Sequence, residues 1–229
     1  MTSTGTWDYG PAASNLTLTA FGRIGIRRAE ITTQHLADAL NEANLVQVKL
    51  ASKQPNLWTS TLYSVTLTAS TATYTLPARL IAIQAAFLTV GTGDTATDQI
   101  LWPLSAFEYS AIPNKTQEAV VNSYWFNRQI TPQITLWPVP DDSTTYVLNL
   151  RAVYQIEDVS LSSGATLNMP YRWLDVYVAE LAYRMARIYA PDKEVLRKAD
   201  ADEAWVVAAT EDQERVPLYI QPQTQSYWQ

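Results

Sequence analysis

The chain has 229 residues, 47% of them hydrophobic and only 17% charged, and its 22 acidic and 16 basic side chains give a net charge of −6. That length can bury a substantial apolar interior without staples, and the composition is too apolar for a disordered chain. The acidic balance lacks the positive field that draws proteins onto phosphate backbones, which argues against nucleic-acid wrapping. The absence of cysteine removes disulfides, thiolate nucleophiles and sulfur-ligated zinc together, and a single histidine, His35, leaves no histidine-rich metal site.

The opening Met1-Thr-Ser-Thr-Gly5 has no basic flank or apolar stretch, so no secretory signal is expected. Leu80 to Val90, the longest apolar stretch, contains Gln84 and Thr89 and falls far short of the roughly 20 residues of a membrane helix. A soluble chain with no membrane partner follows.

Charge divides the sequence. Only nine charged residues lie between positions 54 and 150, and the remaining 29 fall in the flanks. In the first flank, Leu18, Phe21 and Ile24 open a short helical stripe after Ser14-Asn15, and Gly25 helps to end it. Thr32 or Thr33 can cap a second helix in which Leu36, Leu40, Ala43, Val46 and Leu50 keep one face apolar until Pro55. From Leu57 the period becomes two, in a vocabulary of Thr, Val, Tyr and Leu. Strands are expected at Leu62 to Thr68, Tyr74 to Leu76, Leu80 to Val90, Tyr124 to Gln129, Ile134 to Trp137 and Tyr146 to Tyr154, with one or two helical turns at Ser105 to Ala111. Ile134 to Leu148 reads as the clearest hairpin: Pro138 and Pro140 close one strand and Asp141-Asp142 makes the turn. After it, Tyr146, Leu148, Leu150, Ala152 and Tyr154 share a face.

Pro170 suits a first helical position, and Leu174, Val178, Leu181, Met185 and Ile188 form a stripe that runs to Pro191. A last helix, about Asp192 to Glu214, has Glu194 and Lys198 at a supportive spacing and a weaker stripe of Leu196, Ala199, Val206 and Ala209. The fold class is therefore α+β: a helical bundle built from both chain ends, 14–54 and 168–215, with an inserted antiparallel β domain, 57–156, and an extended C-terminal tail, 216–229.

Enzymatic motifs are missing. No GxGxxG follows a strand, no GxxxxGK[ST] exists, and Gly91-Thr-Gly93 lacks the lysine and helix of a phosphate loop. No GxSxG is present, and a triad would have to recruit His35 from a helical pattern. Asp141-Asp142 reads as turn chemistry, Glu211-Asp212 as a solvated helix face, and Asp200, Asp202 and Glu203 lack a calcium loop. No catalytic residue, metal or cofactor is expected. Arg23, Arg27, Arg28, Lys49 and Lys53 make the first flank the only locally basic region, a solvated face or one paired with the acidic last helix, with nucleic-acid contact as the minority alternative.

The charge-free end from Val216 to Gln229 would leave aromatic side chains in water if it hung free, and such residues are typical interface anchors. Partner docking is expected through Pro217, Tyr219, Ile220, Pro222, Tyr227 and Trp228. The alternatives are a tail folded back on its own domain or a disordered one.

The order of these elements, with Asp38-Ala-Leu-Asn-Glu-Ala in the second helix, Tyr74-Thr-Leu-Pro in the β insertion, the Ile134 to Val147 segment and Asn168-Met-Pro before a Leu/Ala-rich helix, resembles the head-to-tail adaptor (connector) proteins of tailed bacteriophages, in particular the podovirus adaptor or tail tubular class. The resemblance spans about residues 14 to 215, and Trp7-Asp-Tyr-Gly-Pro11 has no role in it. It implies a virion protein at the head–tail junction, assembled in the host cytoplasm. It also implies a homo-oligomeric ring of about twelve copies, a portal partner above bound by the C-terminal extension, a tail nozzle or tail tube protein below, and genomic DNA passing without specific binding. A carbohydrate- or receptor-binding β module of a virion is the alternative, motivated by the eight tryptophans and the Thr-rich strands, with Trp102, Trp125 and Trp137 as the residues whose change to Ala would test it. A hydrolase working through Glu108 or Asp142 has no motif behind it.

Overall fold

The computed structural model describes residues 9–53 and 57–212. Helix α1 (Ala13–Ile24) turns Ala13, Leu16, Ala20, Phe21 and Ile24 inward. Its stripe is offset from the expected one, because Leu18 is only half-buried and Leu16 and Ala20 hold the core positions. The helix stops where Gly25 enters the left-handed region at φ 96°. There the Gly25 and Ile26 N–H groups donate to the Gly22 and Phe21 carbonyls, both at 3.1 Å. A residue without Cβ adopts that conformation at little cost.

Helix α2 (Thr33–Lys53) opens on a reciprocal cap. Thr32 Oγ1 accepts from the His35 N–H at 3.3 Å, and His35 Nδ1 accepts from the Thr32 N–H at 3.0 Å. An imidazole thus stands where a capping box ordinarily has Glu or Gln. The same ring lies edge-on to Tyr189, with centroids 4.5 Å apart. Ala39, Ala43, Val46 and Leu50 are buried, whereas Leu36, expected on that stripe, is exposed.

Helix α4 (Leu174–Tyr189) follows a 3₁₀ turn at Tyr171–Trp173, and α1, α2 and helix α5 (Glu194–Glu211) all pack against it. This hub position buries it on several sides: Trp173, Tyr177, Leu181 and Met185 have no exposed surface, and Glu180 is also buried. A carboxylate so placed needs partners. Glu180 accepts from Lys49 Nζ at 2.5 Å and lies 3.6 Å from Arg184 Nε, while Arg184 donates to Glu42 at 2.9 Å. Ile188, expected in the stripe, is exposed instead.

Among the described residues, eight strands in two four-stranded sheets lie between these helices. The first has the order β1 (Ser60–Thr66), β8 (Tyr146–Tyr154), β3 (Leu80–Val90), β4 (Thr97–Ile100). The second has the order β2 (Thr73–Thr75), β7 (Gln133–Trp137), β6 (Ser123–Asn127), β5 (Trp102–Leu104). Leu88, Leu148, Leu150 and Ala152 of the first sheet and Tyr124, Ile134 and Leu136 of the second enclose one core, distinct from the helical one. Two sheets hydrophobic on facing sides thereby bury both faces at once.

Two features depart from the expected antiparallel domain. β5 pairs with β6 in parallel, Trp102 opposite Ser123, so the second sheet is mixed. The expected hairpin at Ile134 to Leu148 is also not one, since β7 and β8 belong to different sheets. Both sides of β8 are already occupied, by β1 and β3, leaving β7 no edge to join. Pro138 and Pro140 carry no N–H for a ladder. The Val139 N–H donates instead to the Gln117 carbonyl at 2.9 Å. The burial expected of β8 does hold: Tyr146, Leu148, Leu150 and Ala152 are buried, with Tyr154 packed against them.

The helical fold and the β insertion between its halves make the protein α+β. The six expected docking residues, and Pro55 as a helix stop, lie outside the described residues.

Candidate functional site

The point from which the C-terminal segment departs is tightly built. Asp212 follows α5, and only 1% of its side chain is exposed. Its Oδ1 accepts from Arg172 Nε at 2.9 Å and from a terminal guanidinium nitrogen of the same residue. Arg172 belongs to the turn that opens α4, so one ion pair joins the end of α5 to the start of α4. Such a charge-assisted contact holds planar partners in a fixed geometry. Glu211-Asp212, read as a solvated face, is therefore split: Glu211 is exposed and Asp212 is buried in an ion pair. Beside it runs an open groove of about 420 Å³ between Tyr171, Asp175, Glu203, Val207 and Glu211.

The basic residues of the first flank divide between a solvated face, Arg27 and Arg28, and contacts to the helices. Arg23 donates to Asp175 at 2.5 Å and Lys49 to Glu180 at 2.5 Å, both on α4 rather than on the acidic last helix. Lys53 reaches α5 but sits over the Trp205 ring, 4.2 Å from its centroid, a cation–π contact rather than an ion pair. Burial chiefly, with Lys49 nearby, lowers the Lys53 pKa. Among the described residues Arg27 and Arg28 form no ion pair.

Two of the candidate acid–base carboxylates, Asp141 and Glu108, have structural work. Asp141 Oδ1 accepts from the Ser143 hydroxyl at 2.7 Å, the Tyr146 hydroxyl at 2.8 Å and the Ser143 N–H at 3.1 Å, and these bonds lower its pKa. Glu108 caps helix α3 (Ala106–Ala111) by accepting from the Ser105 N–H at 2.7 Å, and Ser105 holds its pKa down as well. A general acid needs the opposite shift. Asp200 pairs with Arg197 at 3.0 Å, and among the described residues no group of acids and histidines could hold a metal ion.

Trp102, Trp125 and Trp137 lie on the face of the second sheet turned away from its core, since Trp102 and Trp137 both oppose Ser123 and Trp125 is two residues along. The segment around α3 covers part of that face. Tyr109 stacks on Trp125 with centroids 5.2 Å apart, and Trp137 Nε1 donates to the Asn114 carbonyl at 3.1 Å. Only Trp102 of the three is exposed.

Sequence reasoning missed the Arg172–Asp212 pair and the outward apolar face of α5. Val195, Leu196, Val206 and Val207 are each more than half exposed, and Ala199 is exposed between them, whereas Ala201, Ala208 and Ala209 are buried. Of the stripe Leu196, Ala199, Val206 and Ala209 read from the periodicity, the first three face away from the bundle and only Ala209 is buried.

The described residues thus form a helical bundle interrupted by a two-sheet β domain. The chain belongs to the SU10 adaptor protein family, whose model matches residues 14–222. Its role is accordingly that of a structural adaptor. A solved structure described as the neck of an empty GTA particle computed with C6 symmetry is similar over 79% of this chain and 82% of that chain, at 11% identity and a TM-score of 0.25. None of the curated proteins matches the chain.

Proposed function

We propose that this adaptor is a ring subunit at the head–tail junction of a virion, joining the portal to the tail and continuing the DNA channel. The observation that carries the reading is the match to an adaptor family over nearly the whole chain. The C-terminal segment 216–229 is the portal anchor in this reading, through Pro217, Tyr219, Ile220, Pro222, Tyr227 and Trp228. The buried Arg172–Asp212 pair supports it by holding residue 212, the last described one, against the bundle. An anchored root lowers the ordering cost of a docking peptide, because less freedom is lost on binding. A tail nozzle or tube protein would contact the opposite end of the ring, and a net charge of −6 per copy would keep passing DNA from adhering.

The test is sedimentation of the chain, alone and with the portal ring of the same phage, followed by the mass of any complex. A saturable complex that is lost on deletion of residues 216–229 is expected. Unchanged binding by the truncated chain would remove the tail from the reading, and no complex at any ratio would remove the portal.

A further inference from the structure

Helix α5 is amphipathic in the wrong sense for a helix that ends at its own core. Its inner side carries Ala201, Ala208 and Ala209, with Trp205 packed partly buried against the core, while its large aliphatic residues face water. Val195, Leu196, Ala199, Val206 and Val207 fall on one side of the helix, with Glu203 between Ala199 and Val206. Glu203 lies on that face and Glu211 on its flank toward the groove, both exposed and both without an ion pair among the described residues. An uncovered apolar face with an acidic fringe requires a partner that is apolar with a basic fringe.

The same chain carries that surface. Where α1 ends and the chain turns toward α2, a shallow basin of about 710 Å³ is lined by Leu18, Gly22, Ile26, Arg27 and Arg28, with Arg23 on its rim toward α5. Arg27 and Arg28 are exposed and form no ion pair among the described residues, and Glu30, the nearby acid, is turned to the Arg27 N–H at 3.1 Å. The basic and acidic halves therefore do not neutralise each other within one molecule, although charge and apolarity match between them.

We propose that the outer face of α5 docks into the α1–α2 basin of a second copy of this chain, with Glu203 and Glu211 meeting the neighbour's Arg27 and Arg28. The two patches differ, so the contact is heterologous: each copy offers one patch to either neighbour, and the contact propagates until a rotation closes it into a ring. The inference rests on the ring reading above and assigns its subunit interface.

Two variants test it, each altering exposed residues only: Leu196→Asp/Val206→Asp on α5 and Arg27→Glu/Arg28→Glu in the basin. Far-UV circular dichroism confirms that each folds, and sedimentation velocity over a concentration series reads assembly. Each variant alone should need at least tenfold more protein to assemble than the wild type. Mixed one to one, they should form dimers and nothing larger, because each retains the single patch the other has lost. Charge exchange within one chain, Glu203→Lys/Glu211→Lys added to Arg27→Glu/Arg28→Glu, should restore assembly. Loss of assembly by the α5 variant with none by the basin variant overturns the pairing. So does loss on Leu45→Asp/Val48→Asp, on the exposed uncharged face of α2, with the basin variant unaffected. A wild-type chain that stays monomeric at every soluble concentration also overturns it. No portal enters this measurement, so the anchoring role of residues 216–229 stands or falls separately.

Discussion

Removing either partner of the Arg172–Asp212 pair should destabilise the helical bundle, but by unequal amounts. The Asp212 side chain is 1% exposed and that of Arg172 is 29% exposed, and Asp212 Oδ2 lacks a hydrogen-bond partner among the described residues. Arg172→Leu therefore strands a carboxylate that water cannot reach, which costs about 3–5 kcal/mol when a buried pair is broken. Asp212→Asn keeps a carbonyl oxygen in place and leaves a guanidinium that can turn toward solvent, so about 1–2 kcal/mol is expected. The double change Arg172→Leu/Asp212→Leu should recover most of the larger loss, since no lone charge remains. Urea unfolding followed at 222 nm, where the helices dominate, gives the ordering directly from the midpoints at constant slope. Equal losses from the two single changes, or a greater loss from Asp212→Asn, would refute the argument that burial of the acid controls the energy.

Gly25→Ala should cost about 1–2 kcal/mol in thermal unfolding, since φ is 96° and the new Cβ would come within 2.6 Å of Lys193 Nζ, which donates to the Ile24 carbonyl. Leu148→Ala should cost about 2–5 kcal/mol by the cavity it opens in the core shared by the two sheets, and Leu62→Ala, on an exposed position of β1, less than about 0.5 kcal/mol. Burial first, then the hydrogen bond to Asp38 at 2.5 Å, pushes the Tyr189 hydroxyl from its ordinary 10.0 up to about 12. Because the folded value is the higher one, this contribution is complete below pH 10 and is lost as pH rises toward about 12. Tyr189→Phe should flatten stability against pH across that interval, and an unchanged alkaline slope would exclude the tyrosine as its source.

The elements most legible in the sequence were those whose periodicity and burial agree. β3 and β8 occupy the expected Leu80–Val90 and Tyr146–Tyr154, and α4 buries Leu174, Val178, Leu181 and Met185 of its stripe. β4 and β5 went unread for a physical reason: β4 is exposed at all four positions, so no alternation marks it. β5 contains Pro103, which an edge strand tolerates and a sequence pattern reads as a break. The false hairpin arose because turn chemistry is local, while the choice of partner depends on which strand edges are already filled. The correct Asp141 turn sits between strands of different sheets. In α5 the periodicity gave the stripe but not its direction, since a wheel does not say whether the apolar side meets its own core or another molecule. The Arg172–Asp212 pair joins residues 40 apart in the chain, a separation at which nothing local marks the two as partners.

The hub position of α4 also sets an order of events during synthesis. Lys49 waits for Glu180, 131 residues later, and the Ile24 carbonyl for Lys193, 169 residues later. At ribosomal speeds of about 5–20 residues per second, α1 and α2 spend on the order of ten seconds with their apolar faces unsatisfied. The strands emerge in that interval with their own core residues complete, so the insertion can close first while the opening helices remain sticky. Newly made chains should therefore depend on chaperones for their first segment rather than for the β-rich middle, and a nascent chain halted before residue 174 should present a folded centre and an unprotected start to protease.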